Sequence, residues 1–292
     1  MSFVLKKRMT VGDVINCTLL TLFSLVCIFP FLYIVSISFT DASVYVPFEF
    51  NLIPKKWSLD AYKYILSTDS FIRAFQNTVF ITVVGTILNL LFTFTMAYGL
   101  TKTALPGRNL ILYMVVFTFV FSAGLVPNYI LVQSLGLLNS PWALIWPNLT
   151  NAWSLIVVKS FMDSLPKELE EAAKIDGSND IGVFIRIIIP LSKPCIAAFT
   201  LFFAVMHWNQ YFQALIYLTD HTKWTLQVLV AALVINSGTD AVAGESANVE
   251  GNLPSEMVRM ASIVVAMVPI LIVYPFLQKY FAKGVMLGSV KG

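Results

Sequence analysis

The sequence predicts an all-α integral membrane protein with six transmembrane helices and a cytoplasmic helix-turn-helix loop. Of the 292 residues, 58% are hydrophobic and 12% are charged, whereas an ordinary soluble domain has roughly 25% charged residues. The apolar residues form six long blocks that are nearly free of charge, and a block of about 18 such residues spans a bilayer as a helix. A polar segment between the fourth and fifth blocks carries start and stop signals for two short helices.

Each apolar block is long enough for one crossing. Lys6, Lys7 and Arg8 precede the first block, but that block is longer than the apolar region of a cleaved signal and has no small-residue cleavage site, so we interpret it as a retained span. The three cysteines fall in or beside these blocks, where a thiol behaves as a small hydrophobe and predicts no disulfide or metal site. The blocks run approximately from Val14 to Phe39, Ala74 to Leu100, Leu110 to Val132, Trp142 to Phe161, Cys195 to Leu218 and Met260 to Tyr280.

Basic residues are divided unequally between the two sides that six crossings create. One set of loops, which includes both termini, contains 13 Lys and Arg, and the other contains 6. The positive-inside rule places the richer set in the cytoplasm, so both termini are predicted to be cytoplasmic. The richer set consists of Lys6, Lys7, Arg8, Lys102, Arg108, Lys159, Lys167, Lys174, Arg186, Lys193, Lys279, Lys283 and Lys291.

The remaining polar segments are too short for a separate soluble domain. The two long outer loops run from Thr40 to Arg73 and from Thr219 to Arg259, and the second is rich in Gly, Ser, Asn and acidic residues, as is typical of a mobile loop. We see no internal repeat, so residues 1–292 are interpreted as one membrane domain. The formal charge of +3 predicts no nucleic-acid partner.

The longest cytoplasmic segment reads SLPKELEEAAKIDGSNDIGVFIRIIIPLSKP and is predicted to form two short helices joined by a tight turn. Ser164 is expected to cap the first helix, and Pro166 suits its first turn. Gly177 is expected to end that helix in the left-handed conformation, after which Ser178 or Asn179 starts the second. The second helix is expected to stop by Pro190. We call residues 163–190 the elbow.

The spacing of the elbow resembles the EAA loop of binding-protein-dependent ABC importer permeases. Glu171, Ala172 and Ala173 are followed after three residues by Gly177, and after nine more by Ile187, then by Ile189 and Pro190. The family pattern has Leu at the position of Ile189. The WNQYF sequence of the fifth block, a Pro-bearing sixth block and the ending QKYFAKGVMLGSVKG are similar to carbohydrate permeases of the maltose-permease G-subunit type.

This resemblance implies a coupling role for the elbow, which in that family is seated in a cleft of the nucleotide-binding subunit. It implies a second permease subunit of similar fold, two copies of an ATPase subunit that bind ATP and Mg, an extracytoplasmic solute-binding protein and a carbohydrate solute. The region from Asn236 to Glu256 is a candidate for docking that binding protein. The coupling residues carried over are Glu171, Ala172, Ala173, Asp176, Gly177, Ile187 and Pro190.

The chain itself is predicted to be a transport subunit without an ATPase site and without a cofactor or metal of its own. It has no G-x-x-x-x-G-K-[ST] phosphate loop, and no Gly-Lys pair occurs in it. No block carries the row of carboxylates or arginines that marks proton relays and voltage sensors, which weakens the alternative of an ion-coupled secondary transporter. An ABC permease for a solute other than a sugar remains the second alternative.

Polar and aromatic side chains at mid-membrane depth are the candidates for a solute path, because hydrocarbon offers a polar group no partner. His207, Gln210 and Tyr211 have the spacing of one helical face, and Pro147 is expected to open the fourth helix. Amides suit sugar hydroxyls, and aromatic rings suit the flat C–H faces of sugars. The candidates are Asn89, Asn148, Asn151, Trp153, His207, Trp208, Asn209, Gln210 and Tyr211.

Two alternatives stay open at this point. The elbow could be an amphipathic hairpin that lies on the membrane surface or packs only on its own spans. Asn and Gln in the middle of a span often join helices to one another, at about 0.6 kcal/mol each, instead of contacting solute.

Overall fold

The computed structural model describes residues 10–47, 49, 51–235 and 253–288, with side chains as far as residue 275. Over these residues the regular elements are helices, and an isolated antiparallel bridge joins Thr40 to Trp57. The prediction of an all-α protein is confirmed. The predicted docking region from Asn236 to Glu256 lies outside the described residues as far as residue 252.

The helices follow one another closely along the chain. In chain order the α-helices are α1 (Val11–Ser38), α2 (Asp60–Ser67), α3 (Asp69–Thr101), α4 (Arg108–Val120), α5 (Leu125–Ser134), α6 (Trp142–Ile145), α7 (Ala152–Asp163), α8 (Lys167–Ile175), α9 (Asp180–Val183), α10 (Ile189–Leu191), α11 (Lys193–Trp208), α12 (Phe212–Tyr217), α13 (Leu226–Ile235) and α14 (Ser255–Gly288). A π-helix occupies Phe184–Ile188, and 3₁₀ turns occupy Ala42–Val44, Trp146–Asn148 and His221–Lys223.

The chain divides into two compact units, one formed by Met1–Thr68 and Leu233–Ala266 and the other by Asp69–Ala232 and Met267–Gly292. In the first unit, α1 begins with a capping box in which Thr10 and Asp13 satisfy each other's backbone N–H groups. Its apolar side chains are exposed along most of its length, as expected of a helix that contacts lipid. At its end, Ser38 hydrogen-bonds the Tyr62 hydroxyl at 2.7 Å.

The second unit is organised around α3, which packs against α7 and α11. Its buried residues recur every three or four positions and many of them are small, such as Ala74, Thr78, Gly85 and Ala97. Small side chains allow helices in a membrane to approach closely, where dispersion and interhelical hydrogen bonds hold them together. The helix α3 is therefore the support on which the other helices of this unit are placed.

Continuous helices for the third, fourth and fifth apolar blocks are not found. By length and composition, three described helices can cross a membrane: Val11–Ser38, Asp69–Thr101 and Ser255–Pro275. A fourth crossing is counted if Asp180–Leu191 and Lys193–Trp208, which meet at 80°, are taken together. The third block is divided into α4 and α5, the fourth into α6, a 3₁₀ turn and α7, and the fifth into α11 and α12.

Each break coincides with a residue that favours leaving the helix. The third block breaks before Gly124, whose φ is +83°. The fourth opens in the 3₁₀ turn that contains Pro147, as expected, and Asn151 then caps α7 by accepting from the Ser154 N–H at 2.8 Å. In the fifth, the Asn209 side chain donates to the Val205 carbonyl at 3.0 Å and so competes with continuation of the helix.

Candidate functional site

The first arm of the elbow is α8, which begins two residues later than Ser164 would place it. Ser164 ends α7 instead, because its N–H and its hydroxyl both donate to the Phe161 carbonyl. Pro166 occupies the N-cap position of α8, where the missing N–H costs nothing. Glu168 and Glu170 lie in the first turn, where the positive end of the helix dipole favours carboxylates.

Gly177 closes α8 as predicted. Its φ is +84°, a conformation that costs other L-residues roughly 1–2 kcal/mol. The Ser178 N–H donates to the Ala173 carbonyl at 2.9 Å, and the Gly177 N–H donates to the Lys174 carbonyl at 3.0 Å. This pair of bonds is the Schellman motif. The turn between the arms therefore has one defined geometry.

The second arm begins where predicted and ends later than predicted. Asn179 caps α9 by accepting from the Gly182 N–H at 2.7 Å. The arm does not stop at Pro190, because a π-helix at Phe184–Ile188 precedes α10 and the helical run continues to Leu191. In a π-helix the bonds run from i to i+5, and such segments are frequent at functional sites. The arm then meets α11 at 80°, so it is joined directly to the fifth apolar block.

Both arms contact the end of α3. The Lys102 ammonium lies 4.1 Å from the centre of the Tyr98 ring and forms an ion pair with Glu170 of the first arm. Burial acts to lower the pKa of Lys102, but the hydrogen bonds to Glu170 and Tyr98 raise that pKa on balance. Tyr98 also stacks on Phe184 of the second arm, with ring centres 4.9 Å apart. We call this group of four side chains the α3 anchor.

The elbow has one face packed on its own unit and one open face. Ala173 is buried in the same cluster as Tyr98 and Val183, because the turn of the helix directs it inward, so this predicted coupling residue does not lie on the open face. Ala172, Glu171 and Asp176 are exposed, whereas Ile187 is half-buried and Pro190 is exposed. Three isoleucines of the elbow are exposed as well: Ile175 is 87%, Ile181 68% and Ile185 58% exposed.

Removal of the Lys102 charge tests the α3 anchor. The Lys102 and Glu170 side chains are 23% and 24% exposed, so this ion pair is less exposed than a surface pair and more exposed than a buried one. We therefore expect Lys102→Met to lower the free energy of unfolding by about 1–2 kcal/mol, measured by thermal unfolding in detergent. Lys63→Met is the matched control, since the Lys63–Asp60 pair is 75% and 55% exposed. Equal stability of the two variants would contradict the anchor.

The predicted path residues Asn89, Asn148 and His207 meet in one polar layer. Asn89 is fully buried and donates its amide N–H to the Asn148 carbonyl at 2.6 Å. Its Oδ1 lies 3.0 Å from His207 Nε2. Because Asn89 Oδ1 can only accept, His207 Nε2 is the protonated nitrogen. In this arrangement Asn89 joins α3 to both α11 and the 3₁₀ turn of the fourth block.

His207, Gln210 and Tyr211 do not share a helical face, because α11 ends at Trp208 with Asn209 as its C-cap. Gln210 is buried, and its side-chain amide donates to the Leu144 backbone carbonyl at 3.2 Å, while the backbone carbonyl of Gln210 accepts from the Thr225 hydroxyl at 3.3 Å. Tyr211 precedes α12, where it is half-buried. Gln210 thus supplies a hydrogen-bond donor to a backbone carbonyl of α6, next to the break in the fourth block, where the helical hydrogen bonds stop.

The remaining path candidates make other contacts. Asn151 is exposed and caps α7, while Trp153 on α7 is 45% exposed and packs against Phe202 at 5.6 Å between ring centres. Trp208 is buried and meets Phe75 edge-on at 6.0 Å.

Three residues that support the site were missed by sequence reasoning. Tyr98 and Lys102 have the i, i+4 spacing of neighbours on a helix surface, and this was the available signal for the α3 anchor. Gly85 lies against the His207 ring, and a Cβ placed there would be 2.5 Å from His207 Nε2. No pattern in the sequence pairs a glycine of the second block with a histidine of the fifth.

Long apolar helices, polar side chains at their breaks and an ordered, exposed elbow together define an integral membrane transport subunit. The chain belongs to the family of binding-protein-dependent transport system inner membrane components, whose profile matches residues 104–287. It is accordingly a permease component of such a system, and not itself the catalytic subunit.

The relatives of the chain extend over nearly its whole length. It is 50% identical over 287 residues to Protein LplC of Bacillus subtilis, covering 98% of this chain and 97% of that protein. It is 47% identical over 282 residues to the polygalacturonan/rhamnogalacturonan transport system permease protein YtcP of Bacillus subtilis, covering 96% of this chain and 98% of that protein. A crystal structure of a bacterial ABC transporter involved in the import of the acidic polysaccharide alginate contains a chain with 32% identity and a TM-score of 0.86, covering 94% of this chain and 99% of that one.

Proposed function

We propose that this chain is the permease subunit of an ATP-driven importer and carries an oligosaccharide across the cytoplasmic membrane by alternating access. A second permease subunit completes the translocator, two copies of a separate ATPase subunit bind ATP and Mg, and an extracytoplasmic binding protein delivers the solute. Relatives named for polygalacturonan/rhamnogalacturonan and for alginate favour a carbohydrate. Since alginate is named as an acidic polysaccharide, acidic oligosaccharides are the first solutes to test.

The observation that carries the proposal is the elbow, with its defined turn and its exposed isoleucines. Exposed apolar side chains on an ordered segment mark a contact surface, and Ile175, at 87% exposure, immediately precedes the turn. We assign this face to the ATPase subunit. Movement of the elbow is then transmitted to two membrane helices. The second arm moves α11, to which it is joined, and the α3 anchor moves α3.

The proposed topology keeps six crossings with both termini in the cytoplasm. The third, fourth and fifth blocks each cross as two helical pieces, and their irregular backbone lies against protein or a polar cavity, as backbone at membrane depth requires. Broken helices of this kind form solute sites near the middle of the membrane in other transporters, and alternating access moves helix bundles around such a site. The elbow lies on the cytoplasmic side, between the fourth and fifth crossings.

Ile175→Glu is expected to detach the ATPase subunit. Burial of an isoleucine side chain contributes about 1.5–3 kcal/mol, so its loss should weaken copurification of the ATPase about 10- to 100-fold. The chain would be expressed with the products of its neighbouring genes and purified from detergent. Ile53→Glu, at an isoleucine that is 73% exposed in the first outer loop, is the matched control and should retain the ATPase.

Transport itself is tested in proteoliposomes that contain the purified wild-type assembly. We expect uptake of an oligogalacturonide or alginate oligosaccharide that requires both ATP and the binding protein. Uptake by this polypeptide alone, driven by an ion gradient, would instead establish a secondary transporter. ATP-dependent uptake of amino acids or peptides but of no saccharide would assign the permease to another solute.

A further inference from the structure

A cavity of about 320 Å³ opens in the second unit where pieces of all three broken blocks meet. Its lining combines aliphatic side chains of α5 and of the residues that follow α5 with Asn128 of α5, with Trp146, Pro147 and Asn148 of the 3₁₀ turn, and with Gln213 and Tyr217 of α12. Its volume lies within the roughly 300–1,000 Å³ of small-molecule sites. Of these side chains, sequence reasoning singled out Asn148 alone as a path candidate.

Three amide side chains stand in a lining whose other members are aliphatic or aromatic. Asn128 and Gln213 are exposed, and across the part of the chain that the structure describes neither side-chain amide forms a hydrogen bond. Asn148 uses its N–H₂ group on the Leu144 carbonyl at 3.0 Å, and its Oδ1 keeps its capacity to accept. Exposed amides facing hydrocarbon carry the full cost of unmade hydrogen bonds. These three amides therefore face an aqueous path or a polar partner.

An aromatic surface adjoins the amides. The Trp146 side chain is 47% exposed and packs against Trp142 with ring centres 5.9 Å apart, which holds the indole in place. Tyr217 is 4% exposed and closes the cavity from the side of α12. An amphipathic ring beside polar groups presents an apolar surface and hydrogen-bonding groups to the same ligand.

We propose that this cavity is a saccharide subsite of the translocation path, an inference that rests on the proposed function. Sugar hydroxyls both donate and accept, and each carboxamide can do both, so Asn128 and Gln213 match that chemistry. The indole of Trp146 contacts the C–H face of a sugar ring. The described side chains that line the cavity are all uncharged, so the subsite recognises hydroxyl groups and ring faces and does not select for a sugar carboxylate.

The position of the cavity supports a role in entry. In the proposed topology, α5, the 3₁₀ turn and α12 lie in the outer halves of the third, fourth and fifth crossings. A solute released by the binding protein meets this part of the path first. A side chain of the second permease subunit is the competing occupant, since it would also satisfy exposed amides, and the test separates the two.

The test compares Asn128→Leu with Gln213→Leu, singly and together, in the complete assembly. Gln133→Leu is the matched control, because Gln133 is an exposed amide on the same helix as Asn128 and does not line the cavity. Loss of two hydrogen bonds to solute should raise the KM for oligogalacturonide uptake about tenfold in the double variant, with copurification of the second permease unchanged. Trp146→Ala should raise KM similarly, and Trp146→Phe should restore most of the loss.

Each alternative has its own result. If the wild-type assembly imports oligogalacturonide and the double variant has the KM of Gln133→Leu, the subsite is wrong while the proposed function stands. If the variants lose the second permease on purification, the cavity is a subunit interface and the subsite is wrong. If the wild-type assembly imports no oligosaccharide with ATP and binding protein present, the proposed function itself fails.

Discussion

Replacing Gly177 with valine is expected to lower ATP-driven solute uptake about 5- to 30-fold while leaving membrane insertion intact. The φ of Gly177 is +84°, and the left-handed conformation costs a residue with a Cβ about 1–2 kcal/mol. An added Cβ would meet nothing within 4 Å, so the effect expected of the substitution is strain in the backbone. The strained turn relaxes by moving α8 relative to the second arm.

This prediction separates coupling from folding when uptake is measured per ATP hydrolysed. A displaced α8 still presents Ile175 to the ATPase but no longer transfers its movement, so ATP hydrolysis continues and uptake falls. Gly177→Asn is the control, since asparagine tolerates the left-handed conformation better than other residues with a Cβ, and it should keep most of the uptake. Normal uptake by Gly177→Val with purified partners would show that the turn geometry is not part of coupling.

The elbow was largely predictable from the sequence because its signals are local. Gly177 requires a left-handed turn, Asn179 requires only its own neighbours to cap a helix, and both occur where expected. Ser164 failed as a cap because α7 extends to Asp163 and uses Ser164 at its own end. Pro190 failed as a stop because the π-helix before it changes the hydrogen-bond pattern, a feature that no residue type announces.

The polar layer was less predictable because it depends on contacts between distant parts of the chain. The positions of Asn89, His207 and Gln210 within their apolar blocks predict a similar membrane depth, but only if each block forms one unbroken helix. The breaks at Asn151 and Asn209 depend on side chains that replace lost backbone bonds, and helical periodicity does not carry across such a break. The pairing of Asn89 with both His207 and the Asn148 carbonyl therefore became apparent only in three dimensions.

Gly85→Ala is expected to destabilise the folded chain by about 2–4 kcal/mol. A Cβ at this position would lie 2.5 Å from His207 Nε2 and 2.6 Å from His207 Cε1, within the packed contact of α3 with α11. The His207 ring would have to move, and the 3.0 Å bond to Asn89 would break and leave a buried amide oxygen without a donor. Overpacking and the lost hydrogen bond therefore act in the same direction.

The measurement is thermal unfolding of the purified assembly in detergent, and α3 itself supplies the control. Gly99 lies on the same helix with nothing within 4 Å of an added Cβ, so Gly99→Ala should be neutral or stabilising, because alanine favours a helix over glycine by about 1 kcal/mol. Adding His207→Ala to Gly85→Ala removes the clash and should recover part of the stability. If Gly85→Ala unfolds at the same temperature as Gly99→Ala, the close packing of α3 on His207 is not what holds the polar layer together.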